Sequence, residues 1–252
     1  MKVFIINLER SLDRKKHMQK QIQKLFEINP SLKNKLEFIF FKAIDAKNKE
    51  HLEFKDHFPW WASWILGREL SDGEKACFAS HYKLWQECVK LDEPIIILED
   101  DVEFSDEFLN HGEEYIEELL KSEYEYVRLC YLTQGKMLKF NDNFLFTLDS
   151  IGGTQGYLIK PISALKFIDN LKFWIKPVDN VMDMYYYSKV FTITYTPLLL
   201  KTTDINISTI EERKKDKRPI FKRIIKEICR LYFIYLKFTY KQKAIKFLRR
   251  EV

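Results

Sequence analysis

The chain is poor in the residues that build repetitive or cross-linked proteins. Its 252 residues include only seven glycines and seven prolines, which excludes collagen-like and low-complexity classes. None of its four cysteines belongs to a CxxC pair, which argues against a zinc ribbon or a thioredoxin-type redox site. Widely spaced cysteines of this kind are typical of a reducing compartment.

Long apolar runs are also missing. Only residues 3–6 are apolar before the polar Asn7, whereas a signal peptide needs a run of roughly 7–15 residues. We therefore do not expect export by that route. Near the C-terminus the longest charge-free apolar stretch is residues 231–236, whereas a spanning helix needs about 20 such residues. We expect no segment that crosses a bilayer.

The net charge of +5 is unevenly distributed along the chain. Residues 213–252 hold 15 basic and 3 acidic side chains, a local net charge of +12, which leaves −7 for residues 1–212. With 46% hydrophobic residues, the composition is that of an ordinary globular protein. We predict a globular domain over residues 1–212 and a basic tail over residues 213–252 that meets an anionic surface.

Alternating strand and helix patterns predict an α/β domain whose sheet is parallel at least in part. Strands are predicted at residues 3–8, 36–41, 95–98, 126–130, 144–148, 157–159 and 190–195. Helices are predicted at residues 11–26, 71–90, 106–121, 161–171 and 180–188, and residues 46–70 are predicted to be irregular. Ser71 and Glu74 have the spacing of a capping box at the start of the second helix.

Three consecutive carboxylates follow the most apolar predicted strand. Residues 95–98 must be buried on both faces, so Glu99, Asp100 and Asp101 emerge at the carboxyl edge of the sheet. Ligands of open α/β sheets bind at this edge. Adjacent carboxylates suit Mg²⁺ or Mn²⁺ together with substrate phosphate. The alternative is that they solvate the strand end or cap the next helix.

Three weaker features accompany the acidic triplet. Arg10 and Arg14 straddle a strand-to-helix turn, which suits phosphate, although a solvated helix start has the same pattern. The glycines of residues 152–156 permit close backbone approach to a ligand or form an ordinary turn. They match neither a P-loop nor a dinucleotide fingerprint. Asp179 and Asp183, four residues apart, are candidate general bases, although Asp179 could also be an N-cap.

Taken in order, six stretches resemble glycosyltransferase family 25, which contains bacterial lipooligosaccharide galactosyltransferases and collagen galactosyltransferase domains. They are INLERSLDR (6–14), GEKACFASHYKLW (73–85), ILEDDVEF (97–104), GGTQGYLI (152–159), KPVDNVMD (176–183) and TPLLL (196–200). The resemblance implies a GT-A-like fold with a mixed, largely parallel central sheet. It also implies inverting transfer of a hexose, most often galactose from UDP-galactose, to a lipooligosaccharide or lipopolysaccharide core acceptor.

The resemblance further implies a divalent metal, Mn²⁺ or Mg²⁺, at a DxD-type motif in which Glu99 replaces the first aspartate. Asp101 would bind the metal directly, and Glu99 would contact metal-bound water or the donor ribose. Many GT-A enzymes use a late histidine as a further ligand, but this chain has no histidine after His111. Asp204 could substitute, or the triplet, the diphosphate and water could hold the metal alone.

The remaining site residues are assigned through the same resemblance. The catalytic base would be Asp179, slightly preferred, or Asp183. The residues expected to contact the nucleotide sugar are Asn7, Arg10, Arg14, Asp45, Glu74, His81, Glu99, Asp100 and Thr154. A structural role for His81 is the alternative. The aromatic residues 60–64 could form an acceptor platform or pack against the domain.

The tail has the pattern of an amphipathic helix. Apolar residues recur at helical spacing from Phe221 to Tyr235, with Lys222, Lys226 and Arg230 along another side. Such a helix can lie in a membrane interface, where each basic residue contributes about 1 kcal/mol. We expect residues 213–250 to hold a cytoplasmic enzyme on the inner face of a bacterial inner membrane. Packing on the domain or on a partner subunit is the alternative.

Two other functions share parts of these patterns. A non-catalytic sugar- or partner-binding protein could use the same fold without turnover. A metal-dependent nucleotidyltransferase could use the same carboxylates, but it would release pyrophosphate instead of UDP. We do not expect nucleic acid as a partner, because no recognised nucleic-acid-binding module accompanies the basic charge.

Overall fold

The computed structural model describes residues 1–202 and 220–248, with side chains described over residues 224–247 of the last helix. The strands are β1 (Lys2–Asn7), β2 (Glu37–Lys42), β3 (Ile95–Glu99), β4 (Val102–Phe104), β5 (Tyr126–Arg128), β6 (Met137–Lys139), β7 (Phe144–Thr147), β8 (Gly156–Ile159), β9 (Thr192–Tyr195) and β10 (Leu200–Thr202). An eight-stranded sheet has the order β2-β1-β3-β8-β5-β9-β7-β6, and β10 pairs with β4 in a second, two-stranded sheet.

Helices cover both faces of the large sheet. They are α1 (Leu12–Ile28), α2 (Ala62–Leu66), α3 (Asp72–Leu91), α4 (Asp106–Lys121), α5 (Pro161–Asn170), α6 (Val178–Met182), α7 (Tyr185–Ser188) and α8 (Ile220–Leu248). Two 3₁₀ helices, Pro30–Asn34 and Glu50–His57, lie in the connections. Within the described residues, none of the helices is both long and apolar enough to span a membrane.

The expected α/β class and the mixed sheet are confirmed, but the expectation of a largely parallel sheet is wrong. Strand β1 runs parallel to β2 and β3, and β5 runs parallel to β9. The other four pairings of this sheet are antiparallel. The cause is that β8 runs against both of its neighbours and that β6 and β7 form a hairpin, features that apolar runs alone do not reveal.

Strand β3 separates two hydrophobic cores. Ile95 and Ile97 pack with α3 and α5 on one face, whereas Ile96 and Leu98 pack with α1 and α4 on the other. Successive side chains of a strand point to opposite faces, so a strand that is apolar throughout serves both cores. Because β1 and β3 are parallel, the ends that carry Asn7 and Glu99 meet at one edge.

Helix α3 begins at the capping box that the sequence predicts. The Ser71 hydroxyl accepts from the backbone N–H of Glu74 at 3.2 Å, and the Glu74 carboxylate accepts from the backbone N–H of Ser71 at 2.9 Å. The helix predicted over residues 180–188 is instead two short helices, α6 and α7, interrupted at Asp183 and Met184. The short strands β4, β6 and β10 were not predicted.

Helix α8 occupies residues 220–248 of the chain, within the segment predicted as the tail. One face packs on the domain: Phe233 lies against Tyr186 and Tyr187, and Ala244 is fully buried. The packing alternative is therefore correct for this face. Several apolar side chains on other parts of the helix remain more than half exposed: Ile224, Ile228, Leu231, Tyr232, Ile234, Tyr235 and Phe238. The predicted tail residues before residue 220, and Asp204, lie outside the described residues.

Candidate active site

A cavity of about 540 Å³ opens at the carboxyl ends of β1 and β3. It is also lined by one face of α3, by the loop before β8 and by the start of α6. Most of the sequence-predicted site residues line it: Arg10, Arg14, Glu74, His81, Glu99, Asp100, Asp101, Thr154 and Asp179. Asn7 and Asp45 do not line the cavity, but their neighbours in sequence do. Asp183 lies behind the segment of residues 151–154, called here the glycine loop.

Asp100 anchors the acidic triplet to the start of the chain. Its carboxylate accepts from the Asn7 amide at 2.6 Å and from the Arg14 guanidinium at 2.9 Å. Asp100 is 8% exposed, so these two partners satisfy a nearly buried charge. Asn7 therefore acts on the site through Asp100, whose two hydrogen bonds hold the loop after β3.

Glu99 and Asp101 differ in their electrostatic environment. Burial would raise the pKa of Glu99, but His81, the Thr154 hydroxyl and Arg14 together lower it. Burial raises the pKa of Asp101 to about 7, and the negative charge of Glu99 adds to the rise. Arg14, at 3.9 Å from Asp101, opposes the rise without cancelling it. The cavity thus concentrates negative charge at this pair.

Two buried hydrogen bonds hold His81 beside Glu99. The Trp85 indole N–H donates to the Tyr157 hydroxyl at 2.9 Å, and this hydroxyl lies 2.9 Å from Nδ1 of His81. Because the indole can only donate, Tyr157 accepts from it and keeps its own proton for His81. The His81 proton is then on Nε2, which faces Glu99 Oε1 at 3.6 Å.

Cys77 is a cavity residue that the sequence analysis missed. It lies four residues before His81, so both side chains share one face of α3. Ligand atoms of Cys77, His81 and Glu99 all lie within 4.8 Å of one another. Burial raises the pKa of the Cys77 thiol well above its usual range, with further contributions from Glu99 and Asp179. The CxxxH spacing on a predicted helix was the signal that could have identified it.

Ion pairs engage three of the residues expected to contact the donor: Arg10, Asp45 and Glu74. Arg10 pairs with Asp45, whose side chain is nearly buried. Both carboxylate oxygens of Glu74 accept from Arg68 at 2.6 Å, in addition to the capping box. Glu74 therefore holds the start of α3, and Arg68 is a second residue that the sequence analysis missed.

The two candidate bases have different surroundings. Asp179 lines the cavity, and burial raises its pKa from the usual value. Asp183 accepts from Arg128, from the Ser150 hydroxyl and from the backbone N–H groups of Ile151 and Gly152. The structure thus brings only Asp179 to the cavity, while Asp183 holds the glycine loop.

The glycine loop needs its glycines for conformation. Gly152 and Gly153 have φ values of +63° and +80°, a region that residues with a side chain rarely adopt. The loop ends with Thr154, which donates to Glu99. Arg128, which was also missed, donates to the carbonyl of Gly152 at 2.8 Å. The loop is therefore fixed at both the Asp183 and the Glu99 side of the cavity.

The aromatic segment before Gly67 does not line the cavity. Trp60 is 69% exposed and lies edge-on to Trp64, whereas Trp61 packs against Phe173. Packing thus accounts for Trp61, and Trp60 remains available at the surface.

The family comparison covers the whole cavity. A sequence model of glycosyltransferase family 25 (LPS biosynthesis protein) matches residues 1–182, which include every cavity residue named above. The chain belongs to glycosyltransferase family 25. The resemblance drawn from the six sequence stretches is thereby confirmed.

Three curated relatives illustrate the range of this family. The chain is 36% identical over 122 residues to lipooligosaccharide biosynthesis protein lic2B of Haemophilus influenzae, covering 47% of this chain and 41% of that protein. It is 27% identical over 197 residues to procollagen galactosyltransferase 2 of Mus musculus, covering 73% and 30%. It is 32% identical over 119 residues to probable inactive glycosyltransferase 25 family member 3 of Rattus norvegicus, covering 47% and 20%. The matches thus span less than half of each relative.

Proposed function

We propose that this family 25 glycosyltransferase transfers a hexose, galactose from UDP-galactose, to a lipooligosaccharide or lipopolysaccharide core acceptor with inversion, on a GT-A-like fold. The observation that carries the proposal is that one cavity gathers two arginines, the Glu99 and Asp101 carboxylates, and Asp179. These are the groups that binding a diphosphate and activating a hydroxyl require.

The chain's own residues divide the reaction between two sides of the cavity. Arg10 and Arg14, at the start of α1, attract the donor diphosphate. Asp179, at the start of α6, takes the proton of the acceptor hydroxyl. The hydroxyl oxygen then bonds to the anomeric carbon while the bond from that carbon to the diphosphate oxygen breaks. Attack opposite the leaving group inverts the anomeric configuration, and UDP is released.

The donor set fits a divalent cation. Glu99 and Asp101 are hard oxygen ligands. Burial and the adjacent charge of Glu99 raise the pKa of Asp101, and a bound cation would offset both effects. We propose that these two residues hold Mn²⁺ or Mg²⁺, which supplies charge neutralisation to the leaving diphosphate. Cys77 and His81 beside Glu99 form a softer donor set that is better suited to Zn²⁺.

We also propose that α8 holds the enzyme on an anionic membrane from the cytoplasmic side. Ile228, Leu231 and Tyr235 lie at helical spacing and are each at least 60% exposed. They leave an apolar face on a helix whose described side chains include six lysines and arginines against one acidic residue, Glu227. An apolar stripe on a basic helix is the pattern of an interfacial helix.

The deciding experiment is a screen of UDP-sugars read by UDP release, with and without Mn²⁺. UDP-galactose should give release that Mn²⁺ stimulates, and Asp101→Asn should abolish it. Asp142→Asn, on an exposed loop, is the matched control and should retain activity. No release of UDP with any donor would favour the non-catalytic alternative. The rat relative, which is named as probably inactive, is an example of that kind. Release of pyrophosphate would instead favour the nucleotidyltransferase alternative.

A further inference from the structure

A second cavity, of about 380 Å³, lies between α2, α6, α7 and α8. Four of its lining residues are basic: Lys176, Lys226, Arg230 and Lys237. No acidic residue lines it within the described part of the chain. Leu66 and Phe233 contribute apolar surface. The cavity therefore combines concentrated positive charge with apolar walls.

The positive charge comes from both sides of the contact between α8 and the domain. Lys176 belongs to the domain, and its ammonium lies 5.5 Å from the ring centre of Phe233 on α8. Burial lowers the pKa of Lys176, and the charge of Lys226 on α8 lowers it further. Arg230 has an acidic neighbour, Glu227 at 2.7 Å, but this pair is exposed and contributes little.

A second pair of lysines, one from the domain and one from α8, lies close together farther along α8. The ammonium groups of Lys189 on the domain and Lys243 on α8 lie 4.4 and 4.7 Å from the ring centre of Tyr240. Burial lowers the pKa of Lys189, and Lys243 lowers it further. A basic helix thus packs on a basic part of the domain, although like charges at short range repel. An anion bound between them would remove this repulsion.

The second cavity adjoins the active-site cavity. Lys176 and Asn180 line the second cavity, whereas Pro177 and Asp179, which lie between them in sequence, line the first. A ligand in the second cavity would therefore contact the same short segment that carries the proposed base.

We propose that the second cavity binds a phosphate group carried by an amphiphile, with the phosphate at the lysines and the apolar part against Leu66 and Phe233. Clustered ammonium groups bind phosphate by charge, and the apolar walls distinguish an amphiphile from a free ion. Binding does not depend on the proposed transfer reaction. A further role of the cavity, presenting the acceptor beside Asp179, would rest on the proposed transfer reaction.

The test measures binding of the full chain, without turnover. The probes are phosphatidylcholine vesicles alone, with phosphatidic acid, or with oleate at the same surface charge, and inorganic phosphate in solution. The wild type should prefer phosphatidic acid to oleate. The double variant Lys176→Gln/Lys226→Gln should weaken binding to phosphatidic acid about tenfold or more, because it removes two of the four basic side chains that line the cavity. The control Lys241→Gln/Lys246→Gln removes the same charge from exposed positions outside the cavity and should weaken it less.

Three results would overturn the proposal. Equal losses in both double variants would show that delocalised charge, and not the cavity, attracts the vesicles. Equal affinity for phosphatidic acid and oleate would remove the role of phosphate. Saturable binding of inorganic phosphate, without added affinity for the vesicles, would assign the cavity to a free ion. Without ligand, Lys176→Gln/Lys226→Gln should unfold at the wild-type temperature or above, so lost binding cannot reflect unfolding.

Discussion

Arg128 donates to Asp183 across 2.7 Å, and each of the two side chains is only 1% exposed. Asp183 also accepts from the backbone N–H groups of Ile151 and Gly152, so this ion pair joins β5 to the glycine loop of the active site. The charge of each partner is compensated almost entirely by the other.

Asp183→Asn should destabilise the protein by about 3–5 kcal/mol, because it leaves the Arg128 charge buried without a counter-charge. The measurement is the free energy of unfolding in urea. The control is Asp142→Asn, which breaks the exposed pair with Lys139 and should change the free energy of unfolding far less. A similar loss in both variants would contradict the structural role of the buried pair.

Asp179→Asn should abolish transfer while leaving binding of the nucleotide sugar intact, because the variant removes only the proton acceptor. Activity is measured by UDP release and donor binding by calorimetry. Asp169→Asn, an exposed aspartate at the end of α5, is the matched control. Near-normal transfer by Asp179→Asn would exclude this residue as the base.

The pH dependence of kcat/KM should carry the signature of Asp179. Burial raises the pKa of its carboxyl group, Asp183 and Glu99 raise it further, and Arg128 and the backbone N–H of Asn180 oppose the rise. A base must be ionised, so activity should fall on acidification at a higher pH than for a free aspartate, whose pKa is about 3.9. An acid limb at the ordinary aspartate value would contradict this assignment.

Tyr157→Phe should lower kcat about tenfold, or about 1.4 kcal/mol, with little change in KM. The variant removes the hydroxyl that holds His81 Nδ1, so Nε2 is no longer directed at Glu99. The phenylalanine ring keeps the aromatic packing of the tyrosine but cannot bond to His81. Since a purely structural role would lower stability without changing kcat at low temperature, steady-state kinetics and thermal unfolding are measured together.

Ile228→Ser/Leu231→Ser should reduce binding to anionic vesicles while leaving the unfolding temperature unchanged, because both side chains are 60% exposed. Leu138→Ser, at an exposed position of β6, controls for the loss of surface apolar area. Unchanged sedimentation of the double variant with vesicles would refute the proposed membrane role of α8.

The sequence predicts the long elements of the fold well because they carry strong periodicity. Helix α4 begins and ends where the pattern predicts, and the capping box of α3 is visible as Ser71 and Glu74. Strands β4, β6 and β10 have three residues each, too few to show alternation. Strand direction could not be predicted from the sequence, because it depends on pairings between distant segments, such as those of β8 with β3 and β5.

The charged residues of the candidate site were named from the sequence, but several residues that contact them were not. The carboxylates and arginines were identifiable because charged residues follow apolar strands. Arg128 was missed because it acts through a residue that the fold brings close. Arg68 and Cys77 lie only six and four positions from Glu74 and His81, and their spacing was overlooked. Arg128 in particular lies in a predicted strand, where nothing local indicates that its partner is 55 positions away.

Helix α8 is held in a fixed orientation relative to the domain. Its 29 residues correspond to about 43 Å at 1.5 Å per residue. It is fastened near its middle by Phe233, which lies against Tyr186, and near its C-terminal end by Phe247, which lies against Phe140 and Phe191. The helix therefore cannot roll about its axis independently of the domain. Any surface bound along its exposed stripe would set the tilt and the height of the active-site opening at once.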